Sequence, residues 1–102
     1  MSELSSISRR EDGAYVVRGE LTFTTVSPLL KHSKAMFSGD HNPIVVDLDG
    51  VTRADSAGLS LLIQWWRQAR TQGQEIVYVN LPQQMLAMAR LGGLDELLPV
   101  KQ

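Results

Sequence analysis

No cysteine occurs among the 102 residues, so disulfides, thiol nucleophiles and cysteine-ligated zinc or iron–sulfur centres are excluded. An excess of one charge is missing too. Ten Lys and Arg against eleven Asp and Glu leave a formal net charge of −1, which offers no electrostatic footprint for nucleic acid or an anionic membrane. There is no long apolar run. The longest aliphatic stretch, Leu59 to Trp66, is interrupted by Ser60 and Gln64, and it falls far short of the roughly 20 apolar residues that span a bilayer. Met1 to Arg10 mixes Ser, Glu and Arg without the apolar block of a signal peptide. The expectation is a soluble chain that stays in the reducing compartment where it is made. Its length suits one domain, residues 1–102, with one two-layer core.

Catalytic chemistry is equally sparse. His32 falls on a helix surface and His41 in a turn, and neither has a second histidine or a nucleophile motif near it. Gly92-Gly93 reads as a helix stop, because no glycine-rich loop with the required Lys and Ser/Thr joins a strand to a helix. Asp47 and Asp49 share period-two spacing on a strand end and Asp55 precedes a helix. They read as a solvated rim plus a cap rather than as a metal site. The chain is expected to be non-enzymatic, with no metal or cofactor.

What is present is a regular alternation of elements. Residues 4–9 and 14–19 read as strands around Glu11-Asp12-Gly13, and Gly19-Glu20 breaks the second. A helix begins between Thr24 and Ser27, with Pro28 in its first turn and Val26, Leu29, Leu30 and Phe37 on one stripe. It ends at Gly39-Asp40-His41-Asn42-Pro43. Ile44 to Leu48 has the β-branched content of a buried central strand, and a loop follows from Asp49 to Asp55. A long helix then runs from Ser56 to Gln72, closed by Gly73. Glu75 to Asn80 is a strand, and Pro82 to Leu91 a helix with Met85 and Met88 towards the core. Leu97 to Val100 reads as an edge strand. Strands alternating with helices predict an α/β fold: a mixed sheet with an N-terminal antiparallel hairpin and helices packed against it.

The helix after Asp55 carries more apolar residues than one face needs. Gly58, Leu59, Leu62, Ile63, Trp66 and Ala69 suffice for burial against a sheet. The spacing then assigns Leu61 and Trp65 to the opposite side, with Ala57, Ser60, Gln64 and Gln68. Two readings stand at this point: Trp65 covers the flank of the core, or Ala57, Ser60, Leu61, Gln64 and Trp65 form a docking patch anchored by Trp65. Such a patch would also allow weak self-association. Asp55 or Ser56 supplies an ordinary N-cap. Gly58 would let the first turn approach the sheet or a neighbouring loop closely. The alternative for Ser56 is an exposed switch hydroxyl, where phosphate would sit on a helix N-terminus.

Strand Ile44 to Leu48 leads through Asp49-Gly50-Val51-Thr52-Arg53-Ala54 into Asp55-Ser56-Ala57-Gly58-Leu59 and a long helix. Later come Gly73, a strand ending at Asn80, and a helix closing on Leu91-Gly92-Gly93-Leu94. With Gly19-Glu20-Leu21 upstream, this resembles the STAS domain, shared by anti-sigma factor antagonists and the cytoplasmic ends of sulfate transporters. Within that family the chain looks most like the small MlaB-type STAS subunits of the Mla phospholipid ABC transporter. It shares Pro28-Leu29, the run from Val51 through Gly73, and the ending Leu98-Pro99-Val100. The resemblance implies a cytoplasmic subunit, peripheral to the inner membrane, that binds the transporter's ATPase and supports its assembly and activity. The transporter in turn maintains outer-membrane lipid asymmetry. Ser56 matches the residue that anti-sigma factor antagonists have phosphorylated, and the helix it begins is the family's partner-facing element. The alternative role is an anti-sigma factor antagonist switched at Ser56. Ala57 departs from the small polar or glycine residue often found there.

Overall fold

A computed structural model describes residues 5–39 and 42–101. Asp40 and His41, and the first residue of the expected opening strand, lie outside the described residues. The elements are β1 (Ser6–Arg9), β2 (Tyr15–Leu21), α1 (Val26–His32), α2 (Lys34–Ser38), β3 (Ile44–Ala54), α3 (Ser56–Thr71), β4 (Ile76–Val79), α4 (Gln83–Leu91) and β5 (Val100–Lys101). The strands form one sheet in the order β1-β2-β3-β4-β5. β1 pairs antiparallel with β2, and every later pair is parallel. Three successive crossovers step in one direction across the sheet. Because such crossovers are right-handed, the helices gather on one face.

That face holds the core. Tyr15, Val17, Leu21, Ile44, Val46, Leu48, Ile76 and Tyr78 point into it from the strands. Leu29, Met36, Phe37, Leu61, Leu62, Trp65, Ala69 and Met85 meet them from the helices. A smaller cluster of Leu59, Ala89 and Leu98, backed by the half-buried Ile63, Trp66 and Met88, joins α3 to α4 and the C-terminal segment. The Tyr78 hydroxyl donates to the Leu62 carbonyl at 2.6 Å and so ties α3 to the central sheet. Burial pushes that phenol well above its ordinary pKa.

Four expectations are corrected. Gly19-Glu20 does not end β2. Gly19 takes φ +91° and the pairing with β3 slips between Gly19 and Glu20, so the glycine absorbs a bulge and the strand continues. Since β2 runs on, β3 has a partner as far as Leu21↔Ala54, and most of the expected loop Asp49–Asp55 is strand. The first helix is broken at Ser33 into α1 and α2. There the Ser33 hydroxyl donates to the Leu30 carbonyl at 2.6 Å, and that local bond competes with the helix ladder. At the C-terminus only Val100 and Lys101 form the expected edge strand.

Candidate docking site at the start of helix α3

Asp55 sits in extended conformation beyond β3 and caps α3, its Oδ1 accepting from the Ala57 N–H at 2.8 Å. Gly58 is required just inside the helix. A Cβ there would lie 2.7 Å from the Leu21 carbonyl oxygen and 2.9 Å from the Leu21 Cβ, so glycine lets the first turn press on the end of β2. The Asp55 N–H donates to that same carbonyl at 3.1 Å. The start of α3 is therefore bolted to the sheet, and the adjacent Ser56 side chain remains exposed.

Asp55 reaches a second element. Its Oδ2 accepts from the Phe23 N–H at 3.2 Å, linking the β2–α1 turn to the helix start. That turn is held by its own hydroxyls. The Thr22 N–H donates to Thr25 Oγ1 at 2.8 Å, Thr25 Oγ1 donates to the Glu20 carbonyl at 2.7 Å, and the Thr22 and Thr24 hydroxyls meet at 3.1 Å. Phe23, at the tip, is 84% exposed. Sequence reading passed over it because a lone aromatic between threonines carries no periodic signal.

The residues expected to form the docking patch divide. Ser56, Ser60 and Gln64 are exposed and Ala57 is half-buried. Ser60, Gln64 and Arg67, with Ile63, line a shallow recess of about 260 Å3. Leu61 and Trp65 are fully buried, each at 0% exposure, within the chain's own core. They are not part of a surface patch, and Trp65 lies within the core cluster rather than covering its flank. At about 100° per residue, Trp65 lies about 40° from Ala69 and about 60° from Leu62, so it belongs to the inner face. The apolar arc of α3 is wide because the sheet and α1 cover one side and α4 another. The Trp65 Nε1–H donates to the buried Ser33 hydroxyl at 3.0 Å, at the break between α1 and α2.

Asp47 is likewise not a solvated rim residue, being 6% exposed. Its Oδ2 accepts from Arg10 Nη1 at 2.7 Å, and its Oδ1 accepts from Asn80 Nδ2 at 3.0 Å and the Asp49 N–H at 2.9 Å. Burial pushes its carboxyl up, but those hydrogen bonds and the Arg10 charge outweigh it and hold the group below its ordinary range. The cluster joins the β1–β2 hairpin, β3 and the residue after β4, where Asn80 takes φ +58°. Among the described residues no group of three or more His, Asp or Glu side chains could hold a metal ion. No helix there is long and apolar enough to cross a membrane.

Similar backbones occur in several solved proteins. An anti-sigma-factor antagonist (STAS) domain protein from Planctomyces limnophilus matches with a TM-score of 0.72 at 17% identity, over 96% of this chain and 89% of that one. A putative anti-sigma factor antagonist from Thermotoga maritima matches with a TM-score of 0.76 at 16% identity, over 96% and 86%. The Bacillus cell fate determinant SpoIIAA in its phosphorylated form matches with a TM-score of 0.66 at 21% identity, over 96% and 91%. At these identities the likeness is one of fold. Residues 8–99 match the family model described as Mlab, STAS domain. With that match running from within β1 to just short of β5 and across every helix described, the chain belongs to the Mlab STAS-domain family.

Proposed function

We propose that this chain is a non-catalytic, single-domain subunit that docks on the ATPase of an ABC transporter for phospholipid. It supports the assembly and activity of that transporter, and through it outer-membrane lipid asymmetry. The observation that carries this reading is the match of residues 8–99 to the Mlab STAS-domain family. The docking surface is the outer side of the start of α3: Ser56, Ala57, Ser60 and Gln64. Leu61 and Trp65 act only by holding the helix in place. The subunit sits at the cytoplasmic side of the inner membrane through its partner. It favours one ATPase arrangement to the extent that its contacts differ between arrangements. The test is affinity purification of the tagged full-length chain from solubilised native membranes, wild type beside Ser56→Glu, read by mass spectrometry. An ABC ATPase and its permease should accompany the wild type and fall away in the variant.

A second reading is an anti-sigma factor antagonist switched by phosphate on Ser56. It is favoured by the exposure of Ser56 at a helix N-terminus, where a phosphate would be electrostatically welcome. A protein of the same fold has also been solved in a phosphorylated form. Recovery of a soluble kinase, with phosphate on Ser56 and no ABC ATPase, would replace the first reading with this one.

A further inference from the structure

The chain has two phenylalanines. Phe37 is buried in the core, and Phe23 stands 84% exposed beside the start of α3. We infer that Phe23 is the anchor of the docking surface and that it inserts into an uncharged apolar socket on a partner protein. The inference rests on the docking reading above and adds to it the residue and the chemistry that hold the partner.

An isolated exposed apolar side chain needs no explanation by itself. Phe23 differs in how firmly its backbone is held. Its own N–H is tied to Asp55, and the turn around it is closed by hydroxyl bonds from Thr22 to Thr24 and from Thr25 to Glu20. Asp55 is at the same time the cap of α3, so the ring and the Ser56 end of the helix share one rigid support. An aromatic presented on an immobile turn has only its two side-chain torsions left to lose on binding. That preorganisation is what lets a single residue dominate an interface.

The surroundings say what the socket is like. Thr24, Ser27, Pro28 and Ser56 are exposed and uncharged. Both Asp55 oxygens are taken up by backbone N–H groups, and the Glu20 carboxylate faces the Arg53 guanidinium at 3.8 Å. Asp55 keeps its negative charge and Arg53 is largely exposed, but each is already engaged within the chain, which leaves the ring as the unpartnered group at this spot. An apolar pocket rimmed by hydrogen-bonding groups fits the ring and its hydroxyls. A lipid surface fits worse, because interfacial binding combines several apolar side chains with basic ones.

The test uses the full-length chain in its native host, with the exposed Ser27 replaced, Ser27→p-benzoylphenylalanine, to place a photo-crosslinker near an intact Phe23 and an intact Thr22–Thr25 turn. Gln64→p-benzoylphenylalanine serves as a second position. The crosslinked protein is identified, purified and titrated with wild type, Phe23→Leu and Phe23→Ala, each checked by thermal unfolding. Phe23→Ala should bind roughly 30-fold or more weakly with unchanged melting, and Phe23→Leu should lose less. Wild-type affinity should change by no more than about threefold between about 0.1 and 0.5 M salt, since no long-range charge attraction is being screened. The inference is overturned if Phe23→Ala binds within about threefold of wild type, or if affinity falls steeply with salt. Crosslinks at Ser27 to a second copy or to lipid, or none at Ser27, overturn it as well. The two proposals fail separately. An ABC ATPase bound equally well by Phe23→Ala removes the anchor and keeps the transporter reading. A different protein that requires Phe23 keeps the anchor and removes the transporter reading.

Discussion

Asp47 and Asp55 belong to the same stretch of chain, one inside β3 and one just past its end, and they do different work. Each carboxylate bridges elements distant in sequence by accepting hydrogen bonds at both oxygens. Asp47 is buried and locks the hairpin to β3 and the end of β4. Asp55 is half-buried, and above it stand the exposed Phe23 and Ser56. What separates a structural carboxylate from one serving a surface is therefore not its bonding. It is what the bonded framework presents to solvent. The same contrast runs along α3, where Trp65 is sealed inside and Ser56, Ser60 and Gln64 face outward.

The largest effect should come from Trp65→Ala, which tests whether the inner side of α3 is structure alone. Removing a fully buried indole leaves a cavity and takes away the donor to the Ser33 hydroxyl, which keeps its bond to the Leu30 carbonyl. The expected loss of stability is about 3–5 kcal/mol, measured by urea unfolding. The docking affinity of whatever fraction remains folded should be unchanged. A well-folded Trp65→Ala with weakened docking would return Trp65 to the interface.

Helical spacing already places Trp65 on the inner face, about 40° from Ala69, whereas Leu61 lies at the edge of the buried arc. Hydrophobic spacing shows how wide an apolar face is but not how many neighbours cover it. The buried residues of α3, from Leu61 round to Leu59, cover a wider arc than packing on a sheet alone would need, and the excess looks like a patch. The succession of elements along the chain, the Asp55 cap, the need for Gly58 and the limits of α3 were legible because each depends on local chemistry. The Ser33 break, the Asp47 cluster and the exposure of Phe23 depend on contacts between residues far apart in the chain. Asp47 in particular carries no hint that Arg10 and Asn80 will meet it.

Asp47→Ala should cost about 1–3 kcal/mol, because the Asp49 N–H and Asn80 lose a buried acceptor. Docking at the far end of β3 should be unaffected. Acid dependence gives a second readout. The folded carboxyl of Asp47 titrates below its ordinary value. Its contribution is thus complete above the unfolded pKa of about 4 and is lost as pH falls through the lower folded value. Between about pH 4 and pH 2 the wild type should lose more stability than Asp47→Asn does. Parallel losses would mean that the cluster does not bias folding.

Asp55→Ala sharpens the contrast from the other side. Loss of the cap should cost about 1 kcal/mol, less than Asp47→Ala. Docking should nevertheless weaken, since the Phe23 N–H and the start of α3 no longer share a support. Asp55→Asn, whose amide oxygen can still accept from one of the two N–H groups, should recover part of both. Equal and small effects of Asp47→Ala and Asp55→Ala on docking would erase the distinction between the two carboxylates.

The smallest stability effect, and the one with opposite signs, is expected for Ser56→Glu. Ser56 is the first residue of α3, with no acidic residue in the first turn of the helix. A carboxylate there meets the positive end of the helix dipole, although the Ala57 and Gly58 N–H groups are already taken by Asp55. This should raise stability by about 0.3–1 kcal/mol at low salt, less as salt screens it. The same charge would be brought against an uncharged socket beside Phe23, where desolvating it is unfavourable, so docking should weaken. Thermal unfolding and titration against the captured partner read the two effects independently. A variant that melts higher yet binds less tightly can only be explained by a residue whose contacts in the free protein and in the complex differ. That is the property that makes Ser56 part of a surface rather than part of the core.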